Sequence, residues 1–271
     1  MRGRGALRGV PVREALDSAL VALNASGVDT PRLDAEVLLA NALGVDRAAL
    51  FIDPDREVSG PPARRFQDAV RRRAVRREPV AYIVGRKGFR HIELEVDARV
   101  LVPRPETELL VEVGLELPDG AGVVDVGTGS GAVALALKHE RPDLRVTGTD
   151  VSAGALAVAR ANGERLGLEV EWVRCDLFEG EYDAVLSNPP YVEDGARLAP
   201  ELAHEPREAL FAGDDGLAVV RRLLDRAAGA PFVAIEVGKG QAQDVAALME
   251  GWRVAVLRDL AGIERVVVGR C

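Results

Sequence analysis

The chain has 271 residues, of which 48% are hydrophobic and 29% charged, and its net charge is −8. This composition excludes a disordered chain, because enough apolar surface is available for a packed core. With 2 cysteines and 3 histidines, neither a disulfide framework nor a four-ligand zinc site is expected, and no metal is predicted. No run approaches the roughly 20 apolar residues of a membrane span, and the basic segment Met1–Gly5 lacks the apolar stretch of a signal peptide, which predicts a cytoplasmic protein.

The first part of the chain has the apolar spacing of helices. One helix is predicted within residues 12–23 and a second within residues 31–44, where Pro31 suits the first turn and Gly44 the C-terminal cap. A third is predicted within residues 59–78, and it should end there because Pro79 cannot continue a helix. We expect residues 1–78 to form a helical domain that docks the substrate and has no catalytic signature of its own.

The charge is unevenly distributed along the sequence. Residues 1–78 contain 14 Arg against 11 Asp and Glu, a balance of +3, so the remainder carries −11. Seven of these arginines lie close together: Arg64, Arg65, Arg71, Arg72, Arg73, Arg76 and Arg77. They predict either a solvated helix face or a docking surface for an acidic or RNA-bound partner. The acidic remainder argues against a body that grips nucleic acid directly.

Residues 79–106 are predicted to be a β-hairpin linker, in which the apolar run Tyr82–Val84 and the later alternation of apolar residues read as strands. In residues 107–271 strand and helix signals then alternate, which requires a parallel sheet covered on both faces. The last two of seven predicted strands leave no room for a helix between them. The predicted class is therefore α/β, with a seven-stranded Rossmann-like domain that ends in an antiparallel strand pair, the layout typical of S-adenosylmethionine-dependent enzymes.

A glycine-rich turn follows the first strand of this domain. Glycine is needed where the backbone turns sharply and lets a ligand approach closely. Asp150, at the end of the next strand, can accept hydrogen bonds from a ribose of either NAD or S-adenosylmethionine, and Asp125 before the turn favours the second cofactor. The turn is formed by Gly127, Thr128, Gly129, Ser130 and Gly131.

An apolar strand leads directly into Asn188-Pro189-Pro190-Tyr191. An amide nitrogen is a poor nucleophile, so a catalyst must hold it with its lone-pair face toward the methyl donor. Oδ1 of Asn188 and the carbonyl of Pro189 can accept its two N–H bonds, and Tyr191 can pack on the planar group. We therefore predict Asn188, Pro189 and Tyr191 as catalytic, and Pro190 as a further substrate contact.

These motifs resemble the HemK-type protein-(glutamine-N5) methyltransferases that act on peptide chain release factors. The resemblance covers nearly the whole chain and implies a helical N-terminal domain, a hairpin linker and a seven-stranded catalytic domain. It implies that the turn residues Gly127, Thr128, Gly129, Ser130 and Gly131 line the cofactor. It also implies that Asp176 and Leu177 flank the cofactor's adenine, that Asn188 lies beside the cofactor, and that the 188–191 segment holds the glutamine of a Gly-Gly-Gln tripeptide. Arg104 and Glu106 are expected to position either the linker or the substrate loop.

Two related targets remain open from the sequence alone. One is a glutamine in a ribosomal protein, and the other is N6 of adenine in DNA or RNA. The second requires base flipping and is usually accompanied by a dedicated basic recognition domain, which the acidic catalytic part does not suggest. A non-catalytic binding protein is disfavoured, since the glycine turn, Asp150 and Asn188 are all intact.

Overall fold

The computed structural model describes residues 9–271, so the predicted absence of a signal peptide at Met1–Gly5 falls outside the described residues. Contacts between residues divide the chain into two units. The first contains residues up to Gly85 together with Ala199–His204, and the second contains Arg86–Leu198 and Glu205–Cys271. None of the described helices combines the length and apolar character that crossing a bilayer requires.

The first unit is a small helical bundle with a short two-stranded sheet, and its predicted helices are confirmed. Pro31 opens the second helix, and Gly44 caps it in the left-handed region with φ of 66°. A core of leucine, alanine and valine side chains joins the helices, with Leu23 and Leu39 fully buried. The elements are β1 (Val10–Pro11), α1 (Val12–Ala25), α2 (Pro31–Leu43), α3 (Ala49–Ile52), β2 (Glu57–Val58), α4 (Gly60–Arg76) and α5 (Val80–Val84).

Helix α5 corrects the prediction that Tyr82–Val84 is a strand of the hairpin linker. The carbonyl of Pro79 accepts the N–H groups of Tyr82 and Ile83 at 3.0 and 3.1 Å, which starts a helical turn. Val80, Ile83 and Val84 pack against the core of the first unit. Packing of one helical face therefore outweighs the preference of these branched side chains for strands.

Only some of the arginines on helix α4 are exposed to solvent. Arg73 is buried, with 7% of its area exposed. It pairs with Asp34 at 2.7 Å and with Glu201 at 2.9 Å, and Arg77 also pairs with Glu201, at 2.6 Å. Neither a solvated face nor a docking surface accounts for Arg73, because its charge is used inside the first unit. Arg64 remains exposed on this helix.

The second unit contains a hairpin and a seven-stranded sheet covered by helices, in agreement with the predicted class. Its strands are β3 (Arg86–Phe89), β4 (Ile92–Glu95), β5 (Gly122–Val126), β6 (Arg145–Asp150), β7 (Glu171–Arg174), β8 (Ala184–Ser187), β9 (Phe232–Glu236), β10 (Arg253–Arg258) and β11 (Glu264–Arg270). Its helices are α6 (Glu108–Leu115), α7 (Ala132–Glu140), α8 (Ala153–Leu166), α9 (Ala218–Arg226) and α10 (Ala242–Leu248). The predicted hairpin is confirmed at β3 and β4, which pair antiparallel.

The strand order of the sheet is β10-β11-β9-β8-β5-β6-β7. Strands β7, β6, β5, β8 and β9 are parallel, and β11 is antiparallel to both of its neighbours, β9 and β10. The predicted antiparallel pair is confirmed, and its second strand lies inside the sheet rather than at its edge. Because β6, β5 and β8 are adjacent and parallel, the loops that follow them meet at one end of the sheet.

Candidate active site

The glycine loop, residues 127–131, joins β5 to α7 at this end of the sheet. The N–H groups of Gly127 and Thr128 both donate to the carbonyl of Thr149 at 2.9 Å. Gly127 and Gly129 have φ of 73° and 56°, which disfavour a side chain. A Cβ at Gly127 would meet no atom within 4 Å, and one at Gly129 would only reach the Gly127 carbonyl at 4.0 Å. Both glycines therefore leave open space where a ligand can approach the backbone.

Gly131 has a different surrounding from the other two glycines of the loop. A Cβ at this position would lie 2.9 Å from Leu135 and 3.0 Å from Trp172. Its N–H donates to the Thr128 carbonyl at 2.8 Å, which closes the loop. Gly131 thus allows α7 to pack closely on the sheet, and it does not line the cavity described below.

Asp125 lies beneath the glycine loop and supports it. Its carboxylate is buried and accepts the Thr128 hydroxyl at 2.6 Å and the Ala134 N–H at 3.2 Å. Burial raises the pKa of Asp125 to about 6, and the hydrogen bond from Thr128 opposes the rise. Asp125 therefore remains mostly ionised at neutral pH while it holds both ends of the turn.

Asp150 ends β6 and faces the glycine loop. Its Oδ2 accepts the Gly129 N–H at 3.0 Å, and its Oδ1 accepts the Ser152 N–H at 2.8 Å. Burial raises the pKa of Asp150, and these two backbone bonds lower it. Each carboxylate oxygen has a second lone pair, so Asp150 can still accept hydrogen bonds from a ligand.

One cavity runs from the glycine loop to the end of β8. It is lined by most residues of the predicted cofactor and substrate sites: Gly127, Thr128, Gly129, Ser130, Asp150, Asp176, Leu177, Asn188, Pro189 and Pro190. Asp125, Thr107 and Arg104 also line it. Gly131 and Tyr191 are the two predicted site residues that are not part of its lining.

Asp176 and Leu177 follow β7 at one wall of the cavity. The carboxylate of Asp176 is paired with Arg222. Leu177 has φ of 62°, unusual for a side chain that is not glycine, and its carbonyl accepts the Thr149 hydroxyl at 2.5 Å. This hydrogen bond holds a strained backbone that presents Leu177 to the cavity. Sequence reasoning missed Arg222, which is 46 residues from Asp176.

Asn188 follows β8 and lies half-buried at the opposite wall. Its Nδ2 donates to the hydroxyl oxygen of Thr107 at 3.1 Å, so Oδ1 is the atom of this amide that can accept a hydrogen bond. The preceding Ser187 hydroxyl donates to the Val126 carbonyl at 2.8 Å and ties β8 to β5. Thr107 was not singled out from the sequence, although it directly follows Glu106, which was expected to position the linker or the substrate loop.

Tyr191 turns toward the loop after β9. Its carbonyl accepts the side-chain amide of Gln241 at 3.1 Å. A Cβ at Gly238 would lie 3.1 Å from Cδ2 of the Tyr191 ring, so glycine leaves the space that the ring occupies. Burial raises the pKa of the Tyr191 phenol, which therefore stays protonated at neutral pH.

Arg104 connects the linker to the loop after the 188–191 segment. Its guanidinium lies 2.5 Å from Oε1 of Glu205, whose other oxygen accepts the Val102 N–H at 3.4 Å. Glu205 is almost completely buried, so Arg104 compensates a desolvated charge. Glu106 lies 3.8 Å from Arg265, a looser pair. Both residues therefore have positioning contacts, and Arg104 also lines the cavity.

The residues of this cavity fit S-adenosylmethionine. Gly127 and Gly129 provide a cradle that a Cβ would fill. Asp150 provides acceptors for ribose hydroxyls, and Asp125 adds negative charge suited to a cationic ligand. Within residues 9–271, no group of His, Cys, Asp and Glu side chains is arranged to hold a metal ion.

Comparisons with known proteins agree with both units of the structure. A family model described as the PrmC N-terminal domain matches residues 14–85, and one described as the methyltransferase small domain matches residues 105–228. A methyltransferase of known structure from Pyrococcus furiosus has a TM-score of 0.50 and 20% identity, covering 65% of this chain and 87% of that chain. That likeness shows the fold alone.

Two relatives are similar over most of their length. The release factor glutamine methyltransferase of Deinococcus radiodurans is 39% identical over 273 residues, covering 96% of this chain and 98% of the relative. That of Mycolicibacterium smegmatis is 44% identical over 230 residues, covering 80% and 79%. The resemblance inferred from the motifs is confirmed, and the chain belongs to the release factor glutamine methyltransferase family.

Proposed function

We propose that this protein transfers a methyl group from S-adenosylmethionine to the side-chain nitrogen of a glutamine in peptide chain release factors, within their Gly-Gly-Gln motif. The observation that carries this proposal is the single cavity that joins the glycine loop and Asp150 to Asn188 and Pro189. A cofactor site and an amide-binding site thereby open into one space, as a direct transfer requires.

S-adenosylmethionine supplies an electrophilic methyl group when it is bound. Gly127 and Gly129 allow close approach to the backbone, and Asp150 accepts hydrogen bonds from ribose hydroxyls. Asp176 and Leu177 border the adenine, and Thr128 and Ser130 complete the wall between them. Asp125 holds the loop through Thr128.

Asn188 and Pro189 orient the substrate amide. Oδ1 of Asn188 accepts one N–H, and the Pro189 carbonyl accepts the other, so the NH₂ group is fixed with its lone-pair face toward the methyl donor. Pro189 and Pro190 have no N–H groups that could compete for these acceptors. Methylation makes the nitrogen acidic, so its proton can leave afterward and no general base is needed before transfer.

The helical N-terminal part binds the body of the release factor in this proposal. In this proposal residues 1–78 form the docking domain, 79–106 the linker, whose first helical turn α5 packs on that domain, and 107–271 the catalytic domain. Arg64 on α4 remains exposed and available to an acidic partner. Tyr191 lies beside Gly238 outside the cavity lining, so its ring has to turn toward Asn188 to pack on the glutamine side chain.

The other two targets are not favoured, because both relatives described above are release factor glutamine methyltransferases. The direct test is transfer of a labelled methyl group to a purified release factor. The matched control is the same factor with the Gly-Gly-Gln glutamine replaced by asparagine, which keeps the amide but shortens its reach by one methylene group. A ribosomal protein preparation and DNA complete the comparison.

We expect label on the intact release factor alone. Equal label on the asparagine control would contradict selective transfer to the glutamine side chain. Label on ribosomal protein or DNA would keep the role of Asn188 and overturn the proposed substrate.

A further inference from the structure

A buried carboxyl lies behind the substrate-binding amide. Strands β8 and β9 are parallel, with Ser187 opposite Ile235, so the register continues to place Asn188 level with Glu236. Glu236 is only 2% exposed. Among the side chains that the structure describes, its Oε2 is the buried oxygen with no hydrogen-bond partner. Burying such a group is costly, and the fold alone gives no reason to retain it.

The groups around Glu236 include some that raise its pKa and some that lower it. Burial raises the pKa of Glu236 to about 7, and the hydrogen bond from Thr107 opposes the rise. Glu106 raises it further, while Arg265 and Arg104 lower it. Glu236 in turn raises the pKa of the neighbouring Tyr191 phenol. Glu236 is therefore divided between its two protonation states near neutral pH.

Thr107 connects this carboxyl to Asn188. Nδ2 of Asn188 donates to the Thr107 hydroxyl oxygen at 3.1 Å. The single hydrogen of that hydroxyl remains available to Glu236, which follows Ile235 of β9 beside Asn188 and whose pKa is lowered by hydrogen bonding with Thr107. An ionised carboxylate can only accept hydrogen bonds. If the amide were reversed, Oδ1 of Asn188 would face Thr107. The single hydroxyl hydrogen of Thr107 would then have to be donated to both Asn188 and Glu236.

We propose that Glu236 and Thr107 are positioning residues, which hold the Asn188 amide with its Oδ1 directed to accept the substrate N–H. The carboxylate fixes the direction of the Thr107 hydroxyl, and the hydroxyl fixes the amide. This inference rests on the proposed function for the identity of the substrate amide. The contact between the three side chains exists without substrate and can be measured separately.

The arrangement has a consequence for the effect of pH. A protonated Glu236 can itself donate a hydrogen bond to the Thr107 hydroxyl oxygen. The Thr107 hydroxyl can then turn and donate to Oδ1 of Asn188, the atom that should accept the substrate N–H. Ionisation removes this alternative. The kcat of the wild type should therefore rise with pH through about 7, the pKa of Glu236. A gain of about 3- to 10-fold is expected from the bias that one hydrogen bond provides.

The first test compares two substitutions of Thr107. Thr107→Val keeps the shape without the hydroxyl and should lower kcat by about 10- to 100-fold, because Asn188 is no longer oriented. Thr107→Ser restores the hydroxyl and should recover most of this loss. The control is Thr147→Val, since Thr147 is equally buried and donates to Glu171 at 3.2 Å outside the cavity. Cofactor affinity, measured by calorimetry, should be the same in all variants.

Full activity of Thr107→Val would overturn the proposal. So would a Thr107→Ser variant as impaired as Thr107→Val, because the effect would then come from packing. A loss confined to KM or to cofactor affinity would assign Thr107 to binding and also contradict the inference.

The second test is the pH profile of Glu236→Gln. Glutamine can both donate and accept, as a protonated carboxyl does, so its kcat should equal the low-pH value of the wild type and stay constant across pH 7. A Glu236→Gln profile that still rises with a midpoint near pH 7 would show that another group titrates.

The third test needs no turnover. The side-chain ¹⁵NH₂ signal of Asn188, assigned by its loss in Asn188→Ala, should shift with a midpoint near pH 7 in the wild type. It should not shift in Glu236→Gln or Thr107→Val. A wild-type signal that is constant with pH would refute the connection, whichever substrate the enzyme proves to methylate.

Discussion

The glycine loop and the 188–191 segment follow adjacent strands, but they are held by different kinds of groups. The glycine loop is held mainly by its own backbone N–H groups, which donate to Thr149 and Asp150, with one side-chain bond from Thr128 to Asp125. Side chains hold Asn188, through Thr107 and behind it Glu236. Cofactor binding should therefore respond mainly to changes that alter the backbone path or its carboxylate partner. Methyl transfer should respond to the loss of individual side-chain atoms.

The largest effect is expected at Asn188, in the segment that side chains hold in place. Asn188→Ala removes an acceptor for the substrate amide and should lower single-turnover methyl transfer by about 100- to 1,000-fold. Calorimetry should show largely intact cofactor binding, because the glycine loop and Asp150 are unchanged. Loss of both properties, or of neither, would remove the distinction between the two regions.

Asp150→Asn tests the glycine-loop side of the comparison, because it removes the carboxylate that pairs with the loop. An asparagine cannot accept from both the Gly129 and Ser152 N–H groups, and it loses the charge offered to ribose hydroxyls. We expect the dissociation constant of S-adenosylmethionine to rise by about 10- to 100-fold, with kcat at saturating cofactor close to that of the wild type.

The control for Asp150 is Asp143→Asn. Asp143 also accepts a backbone N–H, that of Gly120 at 3.0 Å, and it lies outside the cavity. Its substitution should leave cofactor affinity unchanged. A fall in kcat at saturating cofactor in Asp150→Asn would mean that the carboxylate also positions the substrate.

Gly129→Ala should have a smaller effect, and it tests whether the cofactor lies close to the backbone of the glycine loop. The added Cβ enters the cavity, and we expect about tenfold weaker cofactor binding, equivalent to about 1.4 kcal/mol. Gly180→Ala is the matched control, because Gly180 also has a positive φ, 87°, and open space around it, but it does not line the cavity.

Both glycine variants should lose similar stability in a denaturant titration, about 1–2 kcal/mol for an alanine in the left-handed region. Only Gly129→Ala should lose cofactor affinity. Equal affinities in the two variants would show that the cofactor does not approach the backbone at Gly129.

Local sequence patterns predicted most of the fold and one part of the site. The glycine loop is contiguous, so its residues and its strand-turn-helix setting could be inferred directly. The predicted strand at Tyr82–Val84 was wrong, because packing of half-buried side chains against helices distant in sequence decided its conformation. The place of β11 between β9 and β10 could not be inferred either, since an antiparallel pair can join a sheet through either strand.

The side-chain connections of the site were beyond sequence reasoning. Thr107 and Asn188 are 81 positions apart, and nothing in either motif indicates that they touch. Glu236 reads as one polar residue within an apolar strand, and its altered acidity depends on burial and on groups brought together by folding. The same holds for Arg104 and Glu205, which are 101 positions apart.

The position of β11 also affects the order in which the protein can fold. β11 comes after β10 in the chain but separates it from β9, so β9 keeps an open edge until β11 pairs with it. Glu236 at the end of β9 is paired in register with Val266 of β11. Without β11, Glu236 lies at an open sheet edge, and the burial that raises the pKa of its carboxyl is incomplete. The environment proposed to orient the substrate amide therefore depends on a strand formed by the last residues of the chain, far in sequence from Asn188.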